Sequence, residues 1–500
     1  MAGTSPEYLV MLKWFFSQSE SSWVVALVTA GALPGCMMGH YLAETLGRKK
    51  TIFVSALPAF VAGTIILLAS VSWLLFIARF LQGCSTGIIA VVTMIYITEI
   101  ADKDIRGALG MIVQVMNNQG SLLMYCVGPF VSYRVLSSLI MAIPVVYVAA
   151  CLWIPESPYY HLKDGRVESA RKEFMVLKGT NDEKWADEQL EVVRAHVQQS
   201  MENKTTVKEL FTNMRYRKAV YIIAGLKVLQ YMTGALAIQS YLEMIFMESS
   251  SISGRSASII YGVGGATGAQ AQGVNSGGRK NGQTRQDYYF FGSLLMSSRC
   301  APSALDSNTY VPTCQYHQKR VLAALLADRL GRRILMLISS LGVGMSLTLV
   351  GAYFFTKNFV MANESTLNAI KFLPLAGIIG FNILYAIGIG NIPYVMQAEL
   401  FPINVKAAAS SAATMSACVF SFTVAKCYQG VKDAFGHYTV FWSYATVAYL
   451  GIFFVYFCVP ETKGKTLEEV QDNLQAERYE AETERLNATT AEVENESEKK

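Results

Sequence analysis

Glu44–Thr45–Leu46–Gly47–Arg48–Lys49–Lys50 ends one run of about twenty mostly apolar residues and opens the next, and a run of that length crosses ~30 Å of hydrocarbon. The same punctuation returns as Asp328–Arg329–Leu330–Gly331–Arg332–Arg333, with Ile334 starting another apolar run. A carboxylate, two spacers, a glycine and paired cations make a tight charged turn between two hydrophobic helices. Seen once it carries little weight; seen twice at identical internal spacing, it points to a duplicated membrane architecture.

Composition agrees. The chain has 500 residues, 52% of them hydrophobic and only 16% charged, where soluble domains carry about a quarter charged residues. Apolar runs at 23–43, 52–71, 74–98, 108–131, 135–154, 219–246, 334–355, 372–397, 407–428 and 438–459, with a damaged one near 257–327, predict eleven spans of a polytopic all-α membrane protein. The net charge of +5 does not indicate nucleic acid, because the cations cluster at helix ends. With Gly47–Lys50 placed in the cytoplasm, the turn 102–106, the segment 155–218, Arg329–Arg333 and the tail from Lys463 also fall inside. The outer loops then hold few cations (Arg134, Arg255, Lys357, Lys432), as the positive-inside rule requires. The expected location is the plasma membrane, multi-pass, with a cytoplasmic C-terminus. Nine cysteines show no metal-like or paired spacing, and residues 1–22 do not read as a cleavable signal peptide.

Eleven spans with the tail inside put the N-terminus outside. Residues 1–22 read as a polar loop leading into a helix, so a first helix is expected to be missing; a genuine eleven-helix protein is the alternative. Residues 264–320 are glycine-rich and charged, and split 259–263 from 321–327, each too short to span. Unpaired backbone cannot sit in lipid. The segment reads either as an outer loop beside an improvised span or as foreign sequence such as translated non-coding DNA. The chain thus divides into an N-terminal bundle (1–154), an inter-bundle segment (155–218), a C-terminal bundle (219–459) with an atypical insertion (264–320), and a polar tail (460–500).

Three further features recur in both halves. Glu99 precedes Arg106 by seven residues, as Glu399 precedes Lys406. Pro155–Glu156–Ser157–Pro158 closes the fifth span, and Pro460–Glu461–Thr462–Lys463 closes the last. Two parallel repeats about an axis along the membrane normal mark a major-facilitator-type transporter, whose site lies at the midplane between them. On Gly47–Arg48–Lys49, Arg79-x3-Gly83-x3-Gly87, Glu99 with Arg106–Gly107, Gln230 with Gly234, Gly388-x-Gly390-x-x-Pro393, Glu399–Leu400–Phe401–Pro402 and Pro460 through Glu469, the chain resembles the sugar-porter branch of the major facilitator superfamily. Within that branch it most resembles insect facilitated trehalose or glucose transporters. The resemblance covers residues 20–263 and 321–470 and implies a two-bundle fold of twelve helices, of which this chain would show about eleven, the first missing and the eighth interrupted.

It also implies roles. Arg48, Arg106, Arg332 and Lys406 would pair with Glu99, Glu156, Glu399 and Glu461 when a cytoplasmic gate shuts, although interfacial cations can equally serve only to fix topology. Gln114 and Gln230 match glutamines that hydrogen-bond sugar. A carboxamide donates and accepts without charge, which suits hydroxyls, while a lone intramembrane Gln also serves helix–helix bonding. Tyr394 takes the place of a tryptophan that covers the sugar; an aromatic face stacks on a sugar ring or simply packs. Arg79 should face the protein interior with a partner, in a structural or a substrate role. The departures are Tyr231 where a second glutamine is usual, Leu236 and Ala417 at asparagine positions, and Ala386 where some members have glutamate. Gly83-x3-Gly87 reads as small-residue helix packing.

No histidine lies beside a nucleophile or a metal-like cluster, so the chain is not expected to be an enzyme or to need a cofactor or metal. The expected activity is alternating-access carriage of a neutral sugar, trehalose or a hexose, by facilitated diffusion. The partners are that sugar and the lipid bilayer, with no nucleic acid, and the sequence leaves open whether a proton travels as co-substrate. The competing reading is a non-transporting sugar sensor or a degenerate transporter gene product.

Overall fold

The structure is a computed structural model, and it describes residues 18–69, 71–101, 106–180, 182–202, 214–249, 261, 331–361, 363–401 and 403–462. The expected span near 257–327, apart from Tyr261, lies outside the described residues, as do residues 1–17 and the tail from 463.

The N-terminal half contains α1 (Gln18–Leu46), α2 (Arg48–Leu68), α3 (Ser72–Ile100), α4 (Arg106–Val127) and α5 (Tyr133–Cys151). Three shorter helices follow: α6 (Pro158–Lys163), α7 (Val167–Lys178) and α8 (Glu183–Glu202). The C-terminal half holds α9 (Met214–Met232), α10 (Ala235–Ser240), α11 (Leu242–Ser249), α12 (Arg332–Asn358), α13 (Glu364–Ile370), α14 (Leu373–Ile387), α15 (Ile392–Leu400), α16 (Ile403–Phe435) and α17 (His437–Cys458). Among the described residues, 8 helical segments, two of them interrupted, are long and apolar enough to cross a membrane. Helices α4 and α16 are as long but carry more polar residues, Asn117, Asn118 and Gln119 in one and Ser410, Ser411 and Thr414 in the other.

Two of the expected spans are present but interrupted: neither is one continuous helix. The span at 219–246 breaks at Thr233–Gly234, where Gly234 takes φ +80°. The span at 372–397 breaks over Gly388–Asn391 between α14 and α15. Irregular backbone survives at membrane depth only where protein or a polar cavity satisfies it, and both breaks lie beside such a cavity.

The packing repeats between halves. Helix α2 packs on α3 and α5, and α12 packs in the same way on α14 and α17; α1 and α16 meet between the halves. Helices α1 and α3 run in near backbone contact. A methyl group at Gly83 would strike the Val28 carbonyl, and one at Gly87 the Ala32 carbonyl. Small residues permit this approach, and without a hydrophobic drive inside lipid, such dispersion contacts hold helices together. The expected packing role of Gly83-x3-Gly87 is therefore observed.

The duplicated turns fold alike. Gly47 (φ 94, ψ 169) precedes α2 and Gly331 (φ 83, ψ 162) precedes α12, a conformation essentially confined to glycine. Each helix start is met by a carboxylate from the end of its own half. Glu156 accepts from the amides of Arg48 (2.9 Å) and Lys49 (3.1 Å). Glu461 accepts from those of Arg332 (3.0 Å) and Arg333 (3.1 Å). A negative group there satisfies orphan N–H donors and complements the helix dipole.

Candidate functional site

A polar cavity of about 230 Å³ opens between the halves. Helix α4 contributes Asn117, Asn118, Ser121 and Tyr125. The broken helices contribute Gln230, Tyr231, Ala235, Leu236 and Gln239 on one side and Asn382, Tyr385, Ala386, Gly390, Asn391 and Tyr394 on the other, with Tyr261 completing the wall. Six carboxamides and five phenols line this space, and no charged side chain does so among the described residues.

Helical register explains the grouping. Asn117, Asn118, Ser121 and Tyr125 recur at one face of α4. Gln114 lies one turn earlier on the same helix, and its side chain is outside the described residues. Asn382, Tyr385 and Ala386 follow the same spacing on α14, and the helix then opens so that Gly390 and Asn391 present backbone and carboxamide to the cavity.

Gln230 is buried, and both ends of its carboxamide are engaged. Its Nε2 donates to the Gly390 carbonyl at 2.7 Å, and its Oε1 accepts from Lys227 Nζ at 3.0 Å. Tyr385 donates to the Gln230 carbonyl at 3.0 Å. Gln230 thus ties α9 to the break in the other helix while lining the cavity. An amide nitrogen carries two donors, and one remains beyond the bond to Gly390. Tyr394 is 42% exposed; its hydroxyl lies 2.9 Å from that of Tyr231, and Lys227 Nζ sits 3.6 Å from its ring centroid. One ring face is therefore taken by an ammonium. Asn382 donates to the Tyr261 carbonyl at 2.6 Å, and Asn391 to that of Ala386 at 2.9 Å.

Sequence reasoning singles out Gln230 and Tyr394, which the structure brings together, and passes over Asn117, Asn118, Gln239, Asn382, Asn391 and Lys227. Leu236 and Ala386 do leave non-polar places in the wall. Carboxamides stand about one turn from both places, Gln239 after Leu236 and Asn382 before Ala386. The available signal was a set of carboxamides at helical spacing within 108–131 and 372–397.

At the charged end, Arg48 is 2% exposed and forks onto Glu99, with Nε 2.9 Å from Oε2 and Nη2 2.6 Å from Oε1. Its Nη1 donates to the Ala43 carbonyl at 3.0 Å, and Ser157 donates to Glu99 Oε2 at 2.5 Å. Lys163 of α6 pairs with Glu44. The structure thus joins Arg48 to Glu99 and sets Glu156 and Glu461 on helix starts. These contacts lie within single halves. The side chains of Arg106, Glu399 and Lys406 are outside the described residues. Arg79 is buried in α3 with Nη1 3.2 Å from Gln82 Oε1.

At the opposite end, α1 and α16 touch across the halves. Lys426 donates to Ser22 at 2.9 Å and lies 3.9 Å from the Trp23 ring centroid, and Trp23 meets Phe422 with centroids 6.3 Å apart. Further along, the Cys36 thiol donates to that of Cys418. Among the described residues no cluster of His, Cys, Asp or Glu could hold a metal.

The model of the family "Sugar (and other) transporter" matches residues 3–280 and 319–474. That match starts earlier and runs further than the 20–263 anticipated, and leaves 281–318 outside, a shorter stretch than the expected insertion at 264–320. The facilitated trehalose transporter Tret1 of Bombyx mori is 32% identical over 476 residues, 94% of this chain and 82% of that protein. The facilitated trehalose transporter Tret1 of Polypedilum vanderplanki is 30% identical over 461 residues, 91% of this chain and 79% of that protein. Among solved structures, the inward open conformation of the xylose transporter XylE from E. coli aligns with TM-score 0.65 and 19% identity, covering 91% of this chain and 90% of that one. The proton:xylose symporter XylE bound to 6-bromo-6-deoxy-D-glucose aligns at 0.63 and 20% identity, covering 90% and 88%. These two share its fold.

Proposed function

This chain belongs to the sugar transporter family, and on that premise we propose that it carries a neutral sugar, trehalose or a hexose, by facilitated diffusion. The observation that carries the reading is the uncharged cavity between the halves. Carboxamides and phenols both donate and accept, so together they can replace the water around a polyol's hydroxyls without charge. A site whose buried polar groups match those hydroxyls discriminates strongly against ligands that lack them. Gln230 offers its free N–H and Tyr394 its ring edge and hydroxyl. Gln114 is assigned to the same face of α4 as Asn117 and Asn118.

The two bundles, 1–154 and 219–459, would rock about this cavity, opening it to each side in turn. In this reading the charged end is cytoplasmic, with the tail, and the membrane is the plasma membrane. The set Arg48, Glu99, Arg106, Glu156, Arg332, Glu399, Lys406 and Glu461 biases the two states as a partly screened ionic gate.

Uptake of labelled glucose and labelled trehalose in transporter-null cells tests the proposal. Saturable uptake of one of them, reduced at least tenfold by Gln230→Ala and by Gln114→Ala, is the expected result, since each removes a hydrogen bond at a desolvated site. No saturable uptake of either sugar by a chain present at the cell surface overturns it.

A further inference from the structure

Lys227 belongs to the apolar span Tyr216–Ser240 and is 1% exposed. Its described partners, the carboxamide oxygen of Gln230 at 3.0 Å and the face of Tyr394 at 3.6 Å, both line the cavity. The ammonium therefore stands one side chain behind the wall. Neither partner is anionic. Among the described residues no carboxylate comes within ion-pair distance of Lys227, and none lines the cavity.

A cation withdrawn from water needs opposite charge or a full set of acceptors. Lysine carries three donors, and Gln230 accepts one of them. The ring face attracts the cation as well, at the quadrupole's negative side. The field that remains unmatched extends into the cavity, because a low-dielectric wall screens it poorly. A cleft of one sign raises the local concentration of ligands of the other. Tyr394 also relays the charge. An ammonium against its ring withdraws electron density from the phenol and strengthens the hydroxyl as a donor, and that hydroxyl sits at the wall beside the one on Tyr231. A carboxylate gains more from such a donor than a neutral hydroxyl does.

We propose that Lys227 makes this cavity accept sugar acids. A hexuronate or aldonate would place its carboxylate toward the Tyr394–Tyr231 hydroxyls, with the ammonium behind them, and its hydroxyls against Asn117, Asn118 and Asn391. The inference rests on the cavity being the sugar site, and extends its substrate class from neutral sugars to their singly charged acids.

Competition by glucuronate and by glucose against the uptake of labelled glucose tests it, in the wild-type chain, Lys227→Gln and Lys227→Arg. In the wild type, glucuronate should half-inhibit at a concentration about tenfold below glucose, the scale on which a steered charge acts. That ratio should fall to about one in Lys227→Gln, which keeps a donor to Gln230, and persist in Lys227→Arg. A wild-type ratio at or below one, or a ratio unmoved by Lys227→Gln, overturns the proposal. Melting of the detergent-purified full chain separates this failure from that of the neutral-sugar reading. A glucuronate shift without a glucose shift supports the acid site and sinks the neutral one, and a glucose shift alone does the reverse. No shift with either ligand overturns both.

Discussion

Replacing Gly331 with alanine should cost more than the same change at Gly436, although the two backbones are nearly identical. Gly331 has φ 83 and ψ 162, and Gly436 has φ 89 and ψ 166, each at a helix start. A side chain in that region is strained by about 1–3 kcal/mol at either site. The surroundings differ. An added methyl at Gly331 would lie 2.5 Å from Glu461 Oε2 and 2.8 Å from its Cδ, whereas at Gly436 the nearest atom is a Tyr438 ring carbon at 3.2 Å. Gly331→Ala must therefore also push Glu461 off the amides of Arg332 and Arg333. Hydrogen bonds to a charged group contribute about 1.5–3 kcal/mol when buried. Glu461 is half-exposed and regains water on leaving, so roughly 2 kcal/mol for the pair is a fair discount. The totals come to about 3–5 kcal/mol for Gly331→Ala against about 1–3 for Gly436→Ala. Thermal unfolding of the detergent-purified chain reads the difference, and Glu461→Gln adds a second arm. Once Gly331→Ala has displaced the carboxylate, the double variant should cost little more than Gly331→Ala alone. Equal losses at the two glycines, or additivity within about 0.5 kcal/mol in the double variant, would refute the claim that the turn glycine exists to admit the carboxylate.

Arg48→Met should destabilise by about 3–5 kcal/mol because it strands Glu99, while Arg48→Lys should cost about half of that, having lost only the fork; equal melting temperatures for the two variants would count against the buried pair. Mild oxidation with diamide should join Cys36 to Cys418 and so tie α1 to α16. Uptake should then fall at least tenfold and return with dithiothreitol, as expected if the halves must move apart, and Cys36→Ser should resist the oxidant. Unchanged uptake despite a mass-verified crosslink would remove that interface from the moving parts. At the end opposite the charged turns, His437 Nε2 stands 2.9 Å from Glu248 Oε2, and this contact holds the Glu248 carboxyl below its ordinary value. A depressed carboxyl pKa adds stability that is present above the unfolded value and lost as pH falls through the folded one. The acid limb of a melting-temperature profile below about pH 4.5 should therefore flatten in Glu248→Gln; an unchanged limb would refute the assignment.

Span positions were legible because hydrocarbon imposes both length and composition, and ten of the eleven expected runs correspond to described helices or short series of them. The breaks were not. Thr233–Gly234 and Gly388–Asn391 sit inside runs apolar enough to read as continuous, and tertiary bonds such as Gln230 to the Gly390 carbonyl and the Ile389 amide to Ser339 help make an open backbone tolerable there. The charged turns gave away their own geometry, since a glycine before paired cations recurs with a Pro-Glu exit in each half. Charge counting matches carboxylates to cationic side chains; that Glu156 and Glu461 also bind backbone amides is not displayed by sequence, because an amide carries no charge. In the cavity, position-by-position comparison marks Leu236 and Ala386 as losses, while Gln239 and Asn382, each about one turn away, line the same wall.

The interruption at Gly388–Asn391 leaves α14 and α15 as two rods sharing an elbow. The Gly390 carbonyl there is clasped by Gln230 from the neighbouring helix, so a side chain on α9 decides how far the elbow bends. Tyr394 rides on the outer arm, four residues beyond Gly390, while Asn382 stays on the inner arm. Any swing of α15 about this elbow would have to break the Tyr394–Tyr231 bond and lift the Tyr394 ring from Lys227, besides straining the Gln230–Gly390 bond. The elbow is thereby tied to α9 at three points, which couples the outer arm to its neighbour and keeps it from moving alone.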